Sequence, residues 1–154
     1  MASTYGLCSS FKTELLNAYH NFAGANPVRV ASTVDVFKGA LYLTAATLSP
    51  GATTVYAATN EVANSGSYAA GGQTITNASA PALSGTTACW TPSGSLSWTT
   101  FSATGFDTLL IYNSSQGNRA VGVFGFSLQT ITAGTFTLTM PATNTAGVAL
   151  LQLA

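Results

Sequence analysis

The sequence predicts an all-β fold, an antiparallel β-sandwich of jelly-roll type with one short N-terminal α-helix. Three observations carry this reading. Beyond Pro27 the chain alternates short apolar or Thr-rich runs with turn clusters, which is the spacing of many short strands. The run "GTFTLTMP" (134–141) sets Phe136, Leu138 and Met140 against Thr135, Thr137 and Thr139, the period of a strand with one buried and one wet face. Only one stretch has helical period, and it precedes Pro27.

That stretch is "SSFKTELLNAYHNF" (9–22), where Phe11, Leu15, Tyr19 and Phe22 line one face. Ser10 is placed to cap its first turn, and Glu14 sits near the positive end of the dipole. Gly24, Asn26 and Pro27 stop it. The apolar face needs burial, so the helix closes the sandwich or docks on a neighbour. Phe11, Leu15, Tyr19 and Phe22 are therefore the candidate contact residues.

Strands follow in order: "TVDVFKGALYLTAA" (33–46), "TTVYAAT" (53–59), "GQTITN" (72–77), "TACWTP" (87–92), "SLSWTTFSA" (95–103), "TLLIYN" (108–113), "AVGVFGF" (120–126), "GTFTLTMP" and "GVALLQLA" (147–154). The separators "SPGA", "NSGSYAAGG", "SAPALSG", "SQGN" and "ATNTAG" read as turns. "LLIYN", "SSQG" and "NRAVGVFGF" read as one hairpin, with Arg119 at the sheet margin. In "AVGVFGF", Val121 and Val123 face one way and Phe124 and Phe126 the other, so both faces are covered or a bulge shifts the register. Gly122 and Gly125 suit a bulge or a close approach of another group. No repeat or long linker divides the chain. It reads as one domain, with an arm and helix over 1–27 and the sandwich over 28–154.

Composition narrows the function. A 15.6 kDa chain exposes roughly 7,000 Å² when folded. Four Lys/Arg and four Asp/Glu are all the charge it has, far below the density of ordinary soluble surfaces. An apolar content of 47% excludes disorder as the reason. Zero net charge removes repulsion between molecules and favours association. Both a neutral secreted domain and a protein docked in an assembly fit. Lys12, Arg29, Lys38 and Arg119 are scattered, which argues against nucleic acid. The start "MASTYGLCSSFKTELL" lacks the pattern of a signal peptide, and no apolar run has membrane-spanning length. Cys8 and Cys89 lack metal spacing and are expected as two buried free thiols.

Catalytic readings find little footing. His20 is the single histidine, and a surface or satisfied core role suits it better than that of a base. Metal binding needs three or four convergent ligands. A glycosidase needs two facing carboxylates, and no spacing among Glu14, Asp35, Glu61 and Asp107 recommends a pair. The expectation is a non-enzyme without cofactor or metal. Exposed Trp or Tyr rings could stack sugars, with Asn60 and Glu61, or Asn113 and Gln116, as the polar contacts. Aromatics on strands are more often core.

Five ordered pieces point to a family. "VFKGALYL" (36–43), "NEVANSGSYAAGGQTIT" (60–76), "SWTTFSATGFDTLLIYNSS" (97–115), "NRAVGVFGF" (118–126) and "AGTFTLTMP" (133–141) follow one another. This set resembles a group of small structural proteins of tailed bacteriophages. Ser67 stands where the pattern has glycine, Ile75 where it has leucine, and Trp90 and Pro92 where it has an acidic connection. The resemblance implies a β-sandwich or jelly roll that decorates or cements the phage head. It implies the major capsid protein as partner, a homo-oligomer (trimer or dimer), and a place on the head surface after synthesis in the host cytoplasm. It implies no catalytic residue. The alternatives are a tail or fibre component and a carbohydrate-binding adhesin displayed on the virion.

Overall fold

The computed structural model describes residues 3–8, 10–11, 19–20, 22, 34–76, 81–92 and 94–153. Their strands are β1 (Gly6–Leu7), β2 (Phe37–Leu43), β3 (Gln73–Ile75), β4 (Ala82–Ser84), β5 (Thr87–Trp90), β6 (Leu96–Asn113), β7 (Arg119–Leu138) and β8 (Leu151–Leu153). They form a five-stranded sheet in the order β1-β7-β6-β2-β3 and a three-stranded sheet in the order β4-β5-β8. Every pairing is antiparallel. The all-β, two-sheet expectation therefore holds. The helix expected over 9–22 falls largely outside the described residues; of those described, Ser10 and Phe11 have helical backbone. Ser10, expected to cap it, has its Oγ buried without a hydrogen-bond partner.

The largest departure from the sequence reading is length. "SLSWTTFSA" and "TLLIYN" are one strand, β6, and "AVGVFGF" and "GTFTLTMP" are one strand, β7. Residues that looked like interruptions are absorbed as bulges. Gly105 (φ 68) and Ala133 (φ 47), from the stretches that looked like interruptions, and Thr100 (φ 53), inside "SLSWTTFSA", take left-handed backbone where the register between the two strands shifts. A bulge adds a residue to one strand and bends it without ending the ladder. The expected hairpin stands, with Asn113 opposite Arg119 across the turn.

Smaller differences have local causes. "TTVYAAT" forms only an isolated bridge, Val55 to Arg119, because the segment runs past the end of β7 without a strand to pair along. "SAPALSG", read as a separator, contains β4. Gly85 (φ 63) opens the two-residue turn between Ser84 and Thr87, and a first turn residue at positive φ suits a tight hairpin.

The core lies between the sheets. Phe37 on β2 meets Phe22 at 4.6 Å and Trp90 of β5 at 5.7 Å between ring centroids. Trp98 of β6 stacks on Phe136 of β7 at 5.9 Å. Trp90, Trp98, Tyr42 and Tyr112 are buried, as expected of strand aromatics; Tyr68, outside the strands, is buried too, and Tyr56 is partly buried. The two glycines of "AVGVFGF" admit close approaches: the ring of Phe124 lies over Gly122, and the ring of Tyr5 lies on Gly125. Cys8 and Cys89 are buried thiols outside any disulfide.

Candidate functional site

Two polar centres are built into this fold, each around one carboxylate. The first starts from the outer edge of β2. β3 pairs with Phe37, Lys38 and Gly39. Residues 60–62 take over further along, with Leu43 N donating to Asn60 O and Val62 N to Leu41 O, both at 2.9 Å. The N–H of Leu41 lies between these two partners. Tyr68 Oη accepts it at 3.0 Å and donates to Glu61 Oε1 at 2.7 Å. Glu61 also receives Tyr56 Oη on Oε2 at 2.6 Å and the Gly71 N–H on Oε1 at 2.7 Å. Tyr112 stacks on Tyr56 at 4.7 Å and donates to Gly71 O at 2.6 Å. Buried polar groups are stable only when paired in this way.

The electrostatics follow from that packing. Burial, reinforced by the negative charge or hydrogen bond of Glu61, raises the phenol pKa of Tyr42, Tyr56, Tyr68 and Tyr112 above the ordinary tyrosine value. The tyrosines stay neutral and keep their protons as donors. All three hydrogen bonds to Glu61 come from this surrounding shell, so the centre fastens the loop 56–72 to the sheet.

The second centre ties the start of β2 to the β6–β7 turn. Asp35 Oδ2 accepts from Asn113 Nδ2 at 2.8 Å and its Oδ1 from Gln116 Nε2 at 3.1 Å. Asn113 Oδ1 accepts the Ser115 N–H at 3.1 Å, which fixes the orientation of the amide. Asn113 Nδ2 also lies 3.1 Å from His20 Nδ1. An amide nitrogen only donates, so His20 Nδ1 is the acceptor in this contact. His20 is a buried core histidine, edge-on to Phe11 at 4.8 Å.

The sequence candidates scatter across these features. Phe11 and Phe22 are buried in the chain's own core, so they close the sandwich rather than present a contact surface. Tyr19 is half exposed beneath the guanidinium of Arg119, 4.3 Å from its ring centre. Leu15 lies outside the described residues. Asn60 is exposed and donates to Ala45 O at 3.1 Å. Its neighbour Glu61 is buried and saturated, so the two do not form a glycan contact. Asn113 and Gln116 do come together, but on Asp35, and Asn113 is 0% exposed. The tyrosines around Glu61 escaped the sequence reading. The signal was one acid in an otherwise uncharged stretch, flanked by Tyr56 and Tyr68.

The surface hollows are apolar. One, of about 190 Å³, has Phe11, Phe22, Pro81, Trp90 and Leu153 among its walls. Another, of about 240 Å³, runs along Leu109, Phe124, Phe126, Met140 and Leu150. Neither is lined by Asp35 or Glu61. Among the described residues no group of three or more His, Cys, Asp or Glu is placed to hold a metal, and no helix is long and apolar enough to cross a membrane.

The outer surface carries a second pattern. Of the charged residues described, Asp35 and Glu61 are buried, and Lys38, Asp107 and Arg119 are only partly accessible. None is exposed. Along the far half of the β6–β7 ribbon the exposed positions include Ser97, Thr99, Ser102, Thr130, Thr135 and Thr137. Large apolar side chains are exposed as well, with Leu83 at 74% and Leu128 at 64%. No protein-family model, curated protein or solved structure matches this chain.

Proposed function

We propose that this chain is a structural protein of a tailed bacteriophage that coats or cements the assembled head. The observation that supports it is the surface: 7599 Å² of accessible area on which none of the described charged residues is exposed. Interface cores are depleted in charge, and a face of Thr, Ser and aliphatic side chains loses little hydration energy when covered. The ordered motifs that resemble phage structural proteins supply the identity of the assembly. The two carboxylate centres, each fastening a loop to the sheet, suit a rigid module that acts through area and shape.

In this role the chain binds the closed lattice of the major capsid protein better than its free subunits. Mass action then shifts the equilibrium towards the intact shell. An oligomer that touches several subunits at once adds avidity. The experiment compares phage heads with and without this protein under heat and osmotic shock, and counts its copies per particle. Lower resistance of the bare heads, with copies in the hundreds, is the expected outcome. Equal resistance removes the cementing role, and a copy number of a few to a few dozen moves the chain to the tail.

A further inference from the structure

β7 has two edges. One is paired to β6 for its length. On the other, β1 pairs only at Gly122 and Val123. Among the described residues no backbone partner stands against that outer edge from Phe124 to Leu138. Natural sheets protect such an edge with lysine, proline, inward charge, bulges or a covering loop. Residues 127–138, "SLQTITAGTFTL", contain no charge and no proline. Extra residues on β7 interrupt the ladder near Phe126–Leu128 and at Ala133; from Gly134 to Leu138 the register shift between Trp98 and Phe101 puts its extra residue on β6, so β7 itself carries no bulge there.

We infer that this stretch pairs with the same stretch of a second copy, antiparallel about a two-fold axis at Phe136. Such an arrangement sets Thr135 opposite Thr137 of the other copy, twice, and Phe136 opposite itself. The molecule already contains this chemistry on the other edge, where Ser97 Oγ and Thr137 Oγ1 lie 2.9 Å apart across the β6–β7 pair. Thr–Thr and Thr–Ser pairs are favourable cross-strand neighbours. A two-fold brings identical groups together, so a charged edge would repel itself. This one carries no charge, and the whole chain has none to spare, with a net of zero. Thr135 and Thr137 are exposed and Phe136 is buried beneath them, so the seam forms without moving the core. β1 lies far along the same edge, at Gly122, and does not obstruct it.

The two five-stranded sheets then join through β7 into one. A five-residue seam is small for an interface, so the dimer forms in a concentration-dependent way. The inference is independent of the head role, since it concerns the purified chain alone.

The test is sedimentation of the wild type and of two charge variants, T135K/T137K and T135E/T137E, over a wide concentration range. Both sites are exposed, and near-ultraviolet circular dichroism and the thermal midpoint confirm that each variant is folded. The wild type is expected to dimerise. Each variant places like charges opposite one another twice and weakens the dimer by at least about tenfold. An equal mixture of the two variants restores a dimer, because lysine then faces glutamate. A wild type that is monomeric throughout overturns the inference. So does a dimer that ignores the charges, or a mixture that stays monomeric. A monomeric wild type whose edge variants lose binding to capsid subunits assigns the edge to a strand of another protein instead.

Discussion

Tyr68 and Glu61 share one proton-donating contact of 2.7 Å, and the same phenol oxygen accepts the Leu41 N–H at 3.0 Å. A side chain thus fills the place of a backbone rung on β2, between the partners supplied by β3 and by residues 60–62. The sheet edge and the buried carboxylate are stabilised by a single hydroxyl.

Tyr68→Phe removes that hydroxyl with little change of shape. It leaves a buried N–H without an acceptor and takes one donor from a carboxylate. The expected loss is about 1.5–3 kcal/mol of unfolding free energy, read by urea denaturation. A loss below about 0.5 kcal/mol, the level of neutral surface changes, would show that water replaces the hydroxyl.

Alkaline pH tests the same centre. The phenols of Tyr42, Tyr56, Tyr68 and Tyr112 are raised in the fold by burial and by Glu61, whereas in the unfolded chain they ionise near pH 10. Above about pH 10 the unfolded state therefore binds fewer protons than the folded one, and stability falls as pH rises. Below that value the contribution is complete and flat. Denaturation curves at about pH 9 and pH 11 should show the drop. Tyr68→Phe should show a shallower one.

Gly72 and Gly39 face each other and predict an ordered pair of effects. A Cβ on Gly72, at φ 73, would lie 2.1 Å from Gly39 O, a backbone atom that has nowhere to go. A Cβ on Gly39 would meet Leu96 Cδ1 at 2.7 Å and Leu109 Cδ1 at 3.0 Å, the ends of flexible side chains. Gly39→Ala should cost about 1–3 kcal/mol as overpacking. Gly72→Ala should cost more, because strain in a left-handed residue adds to the clash. Thermal midpoints of the two variants give the order.

Asn113→Asp replaces an amide donor with a second acid against Asp35 Oδ2, now 2.8 Å from the amide nitrogen. Two adjacent carboxylates raise the pKa of the pair above the unfolded carboxylate value. A raised folded pKa favours the protonated fold, so the variant should lose least stability in acid. The deficit against wild type should grow as pH rises from about 4 to 7. A deficit independent of pH would place the damage in packing alone.

Much of the fold was legible because its signals are local. The alternation in "GTFTLTMP" predicted which residues of β7 face inwards, and Phe136 is buried while Thr135 and Thr137 are exposed. The β6–β7 hairpin was readable from its turn. Strand lengths were not, because the stretches around Gly105 and Ala133 look like stops in one dimension and become bulges only when a partner strand continues beside them. The polar centres were partly legible. Asn113 and Gln116, read together as a candidate glycan contact, both donate to Asp35. Their true partner Asp35 lies 78 and 81 positions away, a distance that only the β2–β6 register closes. The contact face assigned to Phe11 and Phe22 was read from helical spacing. Spacing does not say whether an apolar stripe meets its own sheet or another molecule.

The absence of exposed charge among the described residues has a physical corollary for salt dependence. Ions in solution screen charges, and the described charged residues are either buried or only partly accessible. Contacts made through such a face should hold alike in fresh water and in brine, where an interface steered by lysine and glutamate would weaken.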